Sequence, residues 1–194
     1  MIQKEIKELI AKQVDGIVYV TTHERVLKCL PEELNVPAVM AYGYTRSPKY
    51  PSIVVDDRKG AAEVIRYLFS MGHRRIGTVS GPVRSIHTRE RLLGVQDIFT
   101  EQGIPFEKKC VVEGDWRRGS GYRGTDSLLE QKVTAIFCMS DIMAGGVYDR
   151  LGELGLIPGK DISVAGFDDR ELSTYYKPPL TTTALPLFEI GYTA

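Results

Sequence analysis

The sequence lacks most of the features that announce a chemistry directly. Its three cysteines, Cys29, Cys110 and Cys138, stand far apart with no C-x-x-C pair. That excludes a disulfide framework and a cysteine zinc site, suits a reducing compartment, and leaves small buried thiols as their ordinary reading. His23, His73 and His87 are scattered and offer no metal-ligand spacing. There is no G-x-S-x-G elbow, and no cysteine has a plausible histidine partner. Neither sign of charge is in excess, because Lys plus Arg and Asp plus Glu each number 25. A segment without a basic surplus is poorly suited to gripping a phosphate backbone. No apolar run approaches a membrane span, and the charged, amphipathic start Met1-Ile2-Gln3-Lys4-Glu5-Ile6-Lys7 is unlike a signal peptide. These absences predict a soluble, cytoplasmic protein with no membrane partner, metal or cofactor.

What is present is an alternation. Ile2, Ile6, Leu9 and Ile10 recur at helical spacing, and Ile17 to Val20 is a short apolar run expected to be a buried parallel strand. A polar helical stretch containing Leu27 and Leu30 separates it from two further runs, Pro37 to Ala41 and Ile53 to Val55. From Asp57 a helix is signalled by Ala61, Val64, Ile65, Leu68 and Phe69, with Gly72 as its stop. Strands follow at Ile76 to Val79, Cys110 to Val112, Ala135 to Met139 and Ile162 to Val164. Between them run helices Arg89 to Gln102, Tyr122 to Gln131 and Ile142 to Leu154. Strand-helix repetition with short glycine-punctuated links predicts an α/β protein with a parallel sheet covered on both faces. The segments Ser47 to Pro51 and Lys177 to Pro179 are loops, and Phe188 to Ala194 has the pattern of a helix's first turns.

One pattern invites an enzyme reading. Gly119-Ser120-Gly121-Tyr122-Arg123-Gly124 is a literal G-x-G-x-x-G, with Asp141 about twenty residues later. A dinucleotide site needs those glycines directly after a strand, so that a helix N-terminus meets the pyrophosphate. Here Gly114 to Arg118 intervenes, and a flexible loop running into a helix is the plainer expectation.

The strand ends carry more weight, since open α/β sheets bind ligands there. Strand Ile76 to Val79 leads through Ser80-Gly81-Pro82 to His87, Arg89 and Arg91. Strand Ala135 to Met139 ends in Ser140-Asp141, and strand Ile162 to Val164 leads to Asp168-Asp169. Trp116, the sole tryptophan, follows strand Cys110 to Val112. Guanidinium, carboxylate and one large aromatic plane suit a polyhydroxylated ring: Arg donates to hydroxyls, Asp accepts from them, and indole covers the C–H face.

The same residues carry a resemblance. Val55-Asp56, Gly60-Ala61, Gly72-His73-Arg74-Arg75-Ile76, Gly81-Pro82 and Arg91-x-x-Gly94 run in the order typical of LacI/GalR effector-binding domains. So do Gly114-Asp115-Trp116, Asp141-x-Met143-Ala144-x-Gly146, Asp161-Ile162-Ser163-Val164, Gly166-Phe167-Asp168-Asp169 and Pro178-Pro179-Leu180-Thr181-Thr182. Nearly the whole chain is covered. The resemblance implies the type I periplasmic-binding-protein fold, with two Rossmann-like lobes of parallel sheet and a ligand between them. It would place residues 1–55 and 185–194 in an N-terminal lobe and 56–184 in a C-terminal lobe. Arg91, Trp116, Ser140, Asp141 and Asp168 would line the effector site, with His87 and Tyr42 beside them. Members of the family often have Asn at the position of Ser140 and Asp near Tyr42-Gly43-Tyr44, so each of these departures removes a hydrogen-bonding group and the resemblance does not fix the ligand. The DNA-binding head, the first strand of the N-terminal lobe and the C-terminal strands have no counterpart, and the N-terminal lobe is expected to be incomplete. The implied function is non-catalytic: a small-molecule effector, most naturally a sugar, controls a homodimeric repressor that meets operator DNA through a head outside this chain. The alternatives are a solute-binding protein serving a sugar transporter and a nucleotide-dependent enzyme built on Gly119, Gly121 and Gly124.

Overall fold

A computed structural model describes residues 2–21, 26–27, 34–45 and 49–194. His23, Cys29, Leu30 and the start of the expected Ser47 to Pro51 loop lie outside the described residues. The chain divides into two compact units, Met1–Val55 with Pro186–Ala194, and Asp56–Leu185.

The first unit opens with α1 (Ile2–Ala11) and continues through β1 (Ile17–Val20), β2 (Val26–Leu27), β3 (Ala38–Ala41), β4 (Tyr44–Thr45) and β5 (Ser52–Ile53). β1, β3 and β5 form a parallel sheet in that order, with Ile17 opposite Ala38 and Met40 opposite Ser52. Two expectations change here. Leu27 is extended rather than helical and pairs with Thr45; its neighbour Val26 is β-branched, which favours an extended ladder over a helix. β1 is buried at Ile17 but exposed at Val18 and Val20. It is the terminal strand of the sheet order, with described strand partners on one side alone.

The second unit starts at α2 (Asp57–Ser70) and alternates β6 (Ile76–Ser80), α3 (Ile86–Glu101), β7 (Val111–Glu113), α4 (Arg118–Glu130), β8 (Ala135–Cys138), α5 (Asp141–Glu153) and β9 (Ser163–Ala165). Its strands form one parallel sheet in the order β7-β6-β8-β9. Ile76 lies opposite Ala135, and Ala135 opposite Ser163. Every residue of β6 and β8 is buried, as a sheet covered on both faces requires. Helices α2 and α3 pack together, as do α4 and α5. Phe137, Phe167, Ile65, Ile98 and Leu128 are among the largest side chains sealed in this core. The last helix, α6 (Leu187–Thr193), returns to the first unit.

Strand order decides where a ligand can enter. The chain leaves β6 toward β7 on one side and leaves β8 toward β9 on the other. The carboxyl ends of β6 and β8 therefore flank the point where winding reverses, the usual crevice of an open α/β sheet.

Helix boundaries sharpen the picture. α2 is capped by the Asp56 carboxylate, which accepts from the Lys59 amide at 2.9 Å. It stops before Gly72, whose φ of +93° is cheap for glycine alone. α3 begins at Ile86 rather than Arg89 because extended Ser85 takes the N-cap position. His87 and Arg91 thereby sit four residues apart on one helical face. α4 begins at Arg118 rather than Tyr122, which takes the whole glycine motif into a helix.

Candidate functional site

Arg91 reaches from α3 into the crevice between β6 and β8, and its side chain is 3% exposed. Its Nε donates to Asp57 Oδ1 at 2.6 Å, and its Nη1 donates to the Met139 carbonyl at the end of β8. Nη1 also lies 3.6 Å from Asp168 Oδ1. The guanidinium sits 3.7 Å from the centre of the Phe167 ring, so a planar cation rests on an aromatic face. Asp57 is the first residue of α2, where unpaired helix N–H groups favour a carboxylate. Its second oxygen is 2.5 Å from His87 Nδ1. One buried carboxylate thus holds both α3 side chains.

Trp116 and Asp168 complete the rim, and both have left-handed backbone, with φ of 67° and 111°. Such conformations cost a non-glycine residue roughly 1–3 kcal/mol and persist where surrounding structure fixes them. The Trp116 indole lies directly over Gly81, where a Cβ would come within 2.1 Å of the ring. It is 5.8 Å from the Arg91 guanidinium. Burial pushes the Asp168 carboxyl up to about 6, against the pull of Arg91 and with a further push from Asp141. Its side chain retains 13% exposure, the one carboxylate of the cluster that meets solvent.

Ser140 and Asp141 face inward. Ser140 caps α5, accepting from the Met143 amide at 3.3 Å. Asp141 is fully buried, accepting from the Thr182 hydroxyl at 2.6 Å and the Arg170 amide at 2.7 Å. Burial raises its carboxyl above the ordinary range, and those two donors oppose the rise. A Cβ at Gly166 would lie 2.2 Å from Asp141 Oδ1, so the bare backbone there makes room for the carboxylate. Asp141 consequently ties α5 to the segment that displays Asp168. Tyr42 belongs to the first unit, follows β3 with φ 59°, and its carbonyl accepts from Thr21.

The G-x-G-x-x-G segment is a packing device and not the expected loop. A Cβ on Gly121 would fall 1.9 Å from the Met143 carbonyl, and one on Gly146 1.8 Å from the Arg118 carbonyl. Glycine lets the two helix backbones approach at both points. Turned toward α5, Gly121 does not form the strand-following turn of a pyrophosphate cradle.

Comparison with known proteins agrees with this architecture. The sequence profile of the periplasmic binding protein-like domain matches residues 65–194. This chain belongs to that family, in the branch found in LacI/GalR-type regulators. It is 34% identical over 198 residues to catabolite control protein A of Priestia megaterium, covering 97% of this chain and 58% of that protein. It is 33% identical over 186 residues to the HTH-type transcriptional repressor CytR of Escherichia coli, covering 94% and 54% respectively. The chain thus spans a little over half the length of these relatives. Among solved structures, a LacI-family transcriptional regulator from Enterococcus faecium with bound ribose superimposes with TM-score 0.81 at 28% identity, covering 96% of this chain and 70% of that one. A LacI-family regulatory protein from Chloroflexus aggregans gives 0.84 at 26% identity, covering 100% and 70%.

Within this LacI/GalR-type domain, the structure brings His87, Arg91, Trp116 and Asp168 together at the strand ends. Ser140 and Asp141 stand behind them. Sequence reasoning missed Asp57 and Phe167 as members of the cluster. Asp57 looked like one of two acidic residues opening a helix, and its spacing from Arg91 carries no periodic signal. Phe167 lay inside a quoted motif, yet nothing local announces that its ring carries the guanidinium. Two cavities lie elsewhere: one of about 290 Å³ opens near Arg75, Phe99 and Phe106 at the start of β6, and another of about 470 Å³ lies by Leu34, Pro37 and Tyr50 in the first unit. Neither touches the charged cluster, whose polar groups converge as a binding site requires. Among the described residues no cluster of His, Cys, Asp and Glu could hold a metal, and no helix is long and apolar enough to cross a membrane.

Proposed function

We propose that this chain is the effector-sensing part of a LacI/GalR-type bacterial repressor and that it binds a small polyhydroxylated molecule without transforming it. The observation that carries this reading is the convergence of Arg91, Trp116 and Asp168 where the winding of the second unit's sheet reverses. Asp168 is the acceptor that reaches solvent and meets hydroxyl donors, Trp116 is the apolar plane, and His87 and Arg91 stand behind them, held by Asp57. Ser140 and Asp141 also stand behind, the one capping α5 and the other holding the segment that displays Asp168. The relatives are named as regulators and repressors, and one neighbour was solved with ribose, which supports a sugar-like effector.

On this reading, Met1–Val55 with Pro186–Ala194 and Asp56–Leu185 are two lobes, and the second supplies the charged cluster that meets the ligand. Ligand binding shifts the balance between two conformations, and that shift is read out on operator DNA by a part of the protein outside these residues. The working form is a cytoplasmic homodimer, with α5 and the loop from Leu172 to Tyr176 as contact surfaces.

Calorimetric titration with D-ribose, D-glucose, hypoxanthine and NAD tests the proposal. A sugar should bind, and Asp168→Asn should weaken it at least about tenfold, since a charge-assisted hydrogen bond contributes roughly 1.5–3 kcal/mol. Binding of NAD with none of the others would refute it.

A further inference from the structure

We infer that the effector of this site is uncharged, and that Asp57 is the specificity-determining residue that turns the site against phosphorylated or carboxylated sugars. This rests on the effector-sensing reading above. The argument is one of charge and of occupied hydrogen-bond donors.

Two carboxylates, Asp57 and Asp168, flank a single guanidinium, a third, Asp141, acts on Asp168, and Arg91 is the one buried arginine among the described residues. Protonating His87 would add one positive charge and still leave no surplus for an anion. The remaining cations of the neighbouring elements are exposed or committed. Lys59, Arg89 and Arg117 are exposed, Arg58 is held by Asp97 at 2.6 Å, and Arg170 is 56% exposed and 3.7 Å from Asp168. Water screens such groups far more than buried ones. An incoming anion would therefore meet buried negative charge without a buried partner.

Geometry points the same way. Phosphate and carboxylate are recognised by an arginine fork that offers two parallel N–H groups. Arg91 cannot present that fork through Nε, which Asp57 holds, and its Nη1 already serves the Met139 carbonyl. One face of the guanidinium is covered by Phe167. Asp57 both offsets the charge of Arg91 and takes the Nε arm of its side-on fork. A neutral polyol needs neither: its hydroxyls donate to Asp168, and its C–H face lies on Trp116. Removing the Asp57 charge leaves the guanidinium less than fully compensated.

The test uses the whole chain and two probes. Calorimetry compares D-ribose with ribose 5-phosphate and D-glucose with glucose 6-phosphate. Separately, inorganic phosphate is titrated while the indole N–H of Trp116 is followed by nitrogen-15 NMR. A neutral sugar should bind at least about tenfold more tightly than its phosphate. Inorganic phosphate should leave the Trp116 signal of the wild type unmoved and should shift it in Asp57→Asn. Asp168→Asn, which also removes a negative charge, should respond in the same direction and serves if Asp57→Asn does not fold. A sugar phosphate that binds as tightly as its parent sugar overturns the inference, and so does a wild-type Trp116 signal that moves with phosphate. If no sugar of either kind binds, the sensing reading falls, while the phosphate titration still decides the charge argument.

Discussion

Gly146→Ala should destabilise the second unit, whereas Gly152→Ala on the same helix should not. The added methyl at position 146 would sit 1.8 Å from the Arg118 carbonyl and 2.6 Å from the Tyr122 amide. Both obstacles are backbone, so relief requires α4 and α5 to separate by more than an ångström over a tightly packed contact. Overpacking of that kind costs about 3 kcal/mol, and alanine's better helix propensity returns about 1 kcal/mol. The net expectation is a loss of about 2 kcal/mol. Gly152 also lies in α5, but a Cβ there meets nothing within 4 Å. The same substitution should stabilise by roughly 0.5–1 kcal/mol through propensity and a restricted unfolded chain. Urea unfolding followed by Trp116 fluorescence reports this unit, because the chain has one tryptophan. Opposite signs are expected. If Gly146→Ala were as stable as wild type, the glycine contact would not be holding the helices together.

Three further outcomes follow from the buried polar groups. Asp168 has its folded pKa raised to about 6, so the native state binds a proton that the unfolded chain, near pH 4, releases; stability therefore falls as pH rises through that window. Asp168→Asn should be more stable than wild type by about 2 kcal/mol near pH 7, with the difference closing toward pH 4, and a pH-independent difference in urea melts would contradict the assignment. Asp141→Asn should cost about 1–3 kcal/mol in the same assay, because an amide cannot accept on both sides from Thr182 and the Arg170 amide; an unchanged midpoint would deny that tether. Thr88 has a buried hydroxyl with no partner, so Thr88→Val should be neutral or stabilising by up to about 1 kcal/mol, and a loss of more than that would reveal an unseen acceptor.

Legibility from sequence followed the range of the interactions. The parallel sheet of the second unit was readable because β6 and β8 are continuous apolar runs between amphipathic helices, a signal contained within a few residues. The stop at Gly72 was readable for the same reason. The start of α4 was not, since three glycines in a helix oppose local propensity, and it takes the tertiary contacts of Gly121 with Met143 on α5 and of Gly124 with Val112 on β7 to account for two of them. At the site, long side chains at strand ends marked Arg91, Trp116 and Asp168 as candidates, but their division of labour depended on partners far along the chain. Asp141 carries the charge of a ligand contact, yet it is spent on Thr182 and the Arg170 amide. Asp57 carried no signal beyond a helix start, yet it holds His87 and Arg91 together. The decisive step was the strand order β7-β6-β8-β9, which brings the Met139 carbonyl to Arg91 and so closes a site from residues that composition alone leaves scattered. Side-chain chemistry nominates members of such a site, but topology determines which of them face a ligand and which hold the others in place.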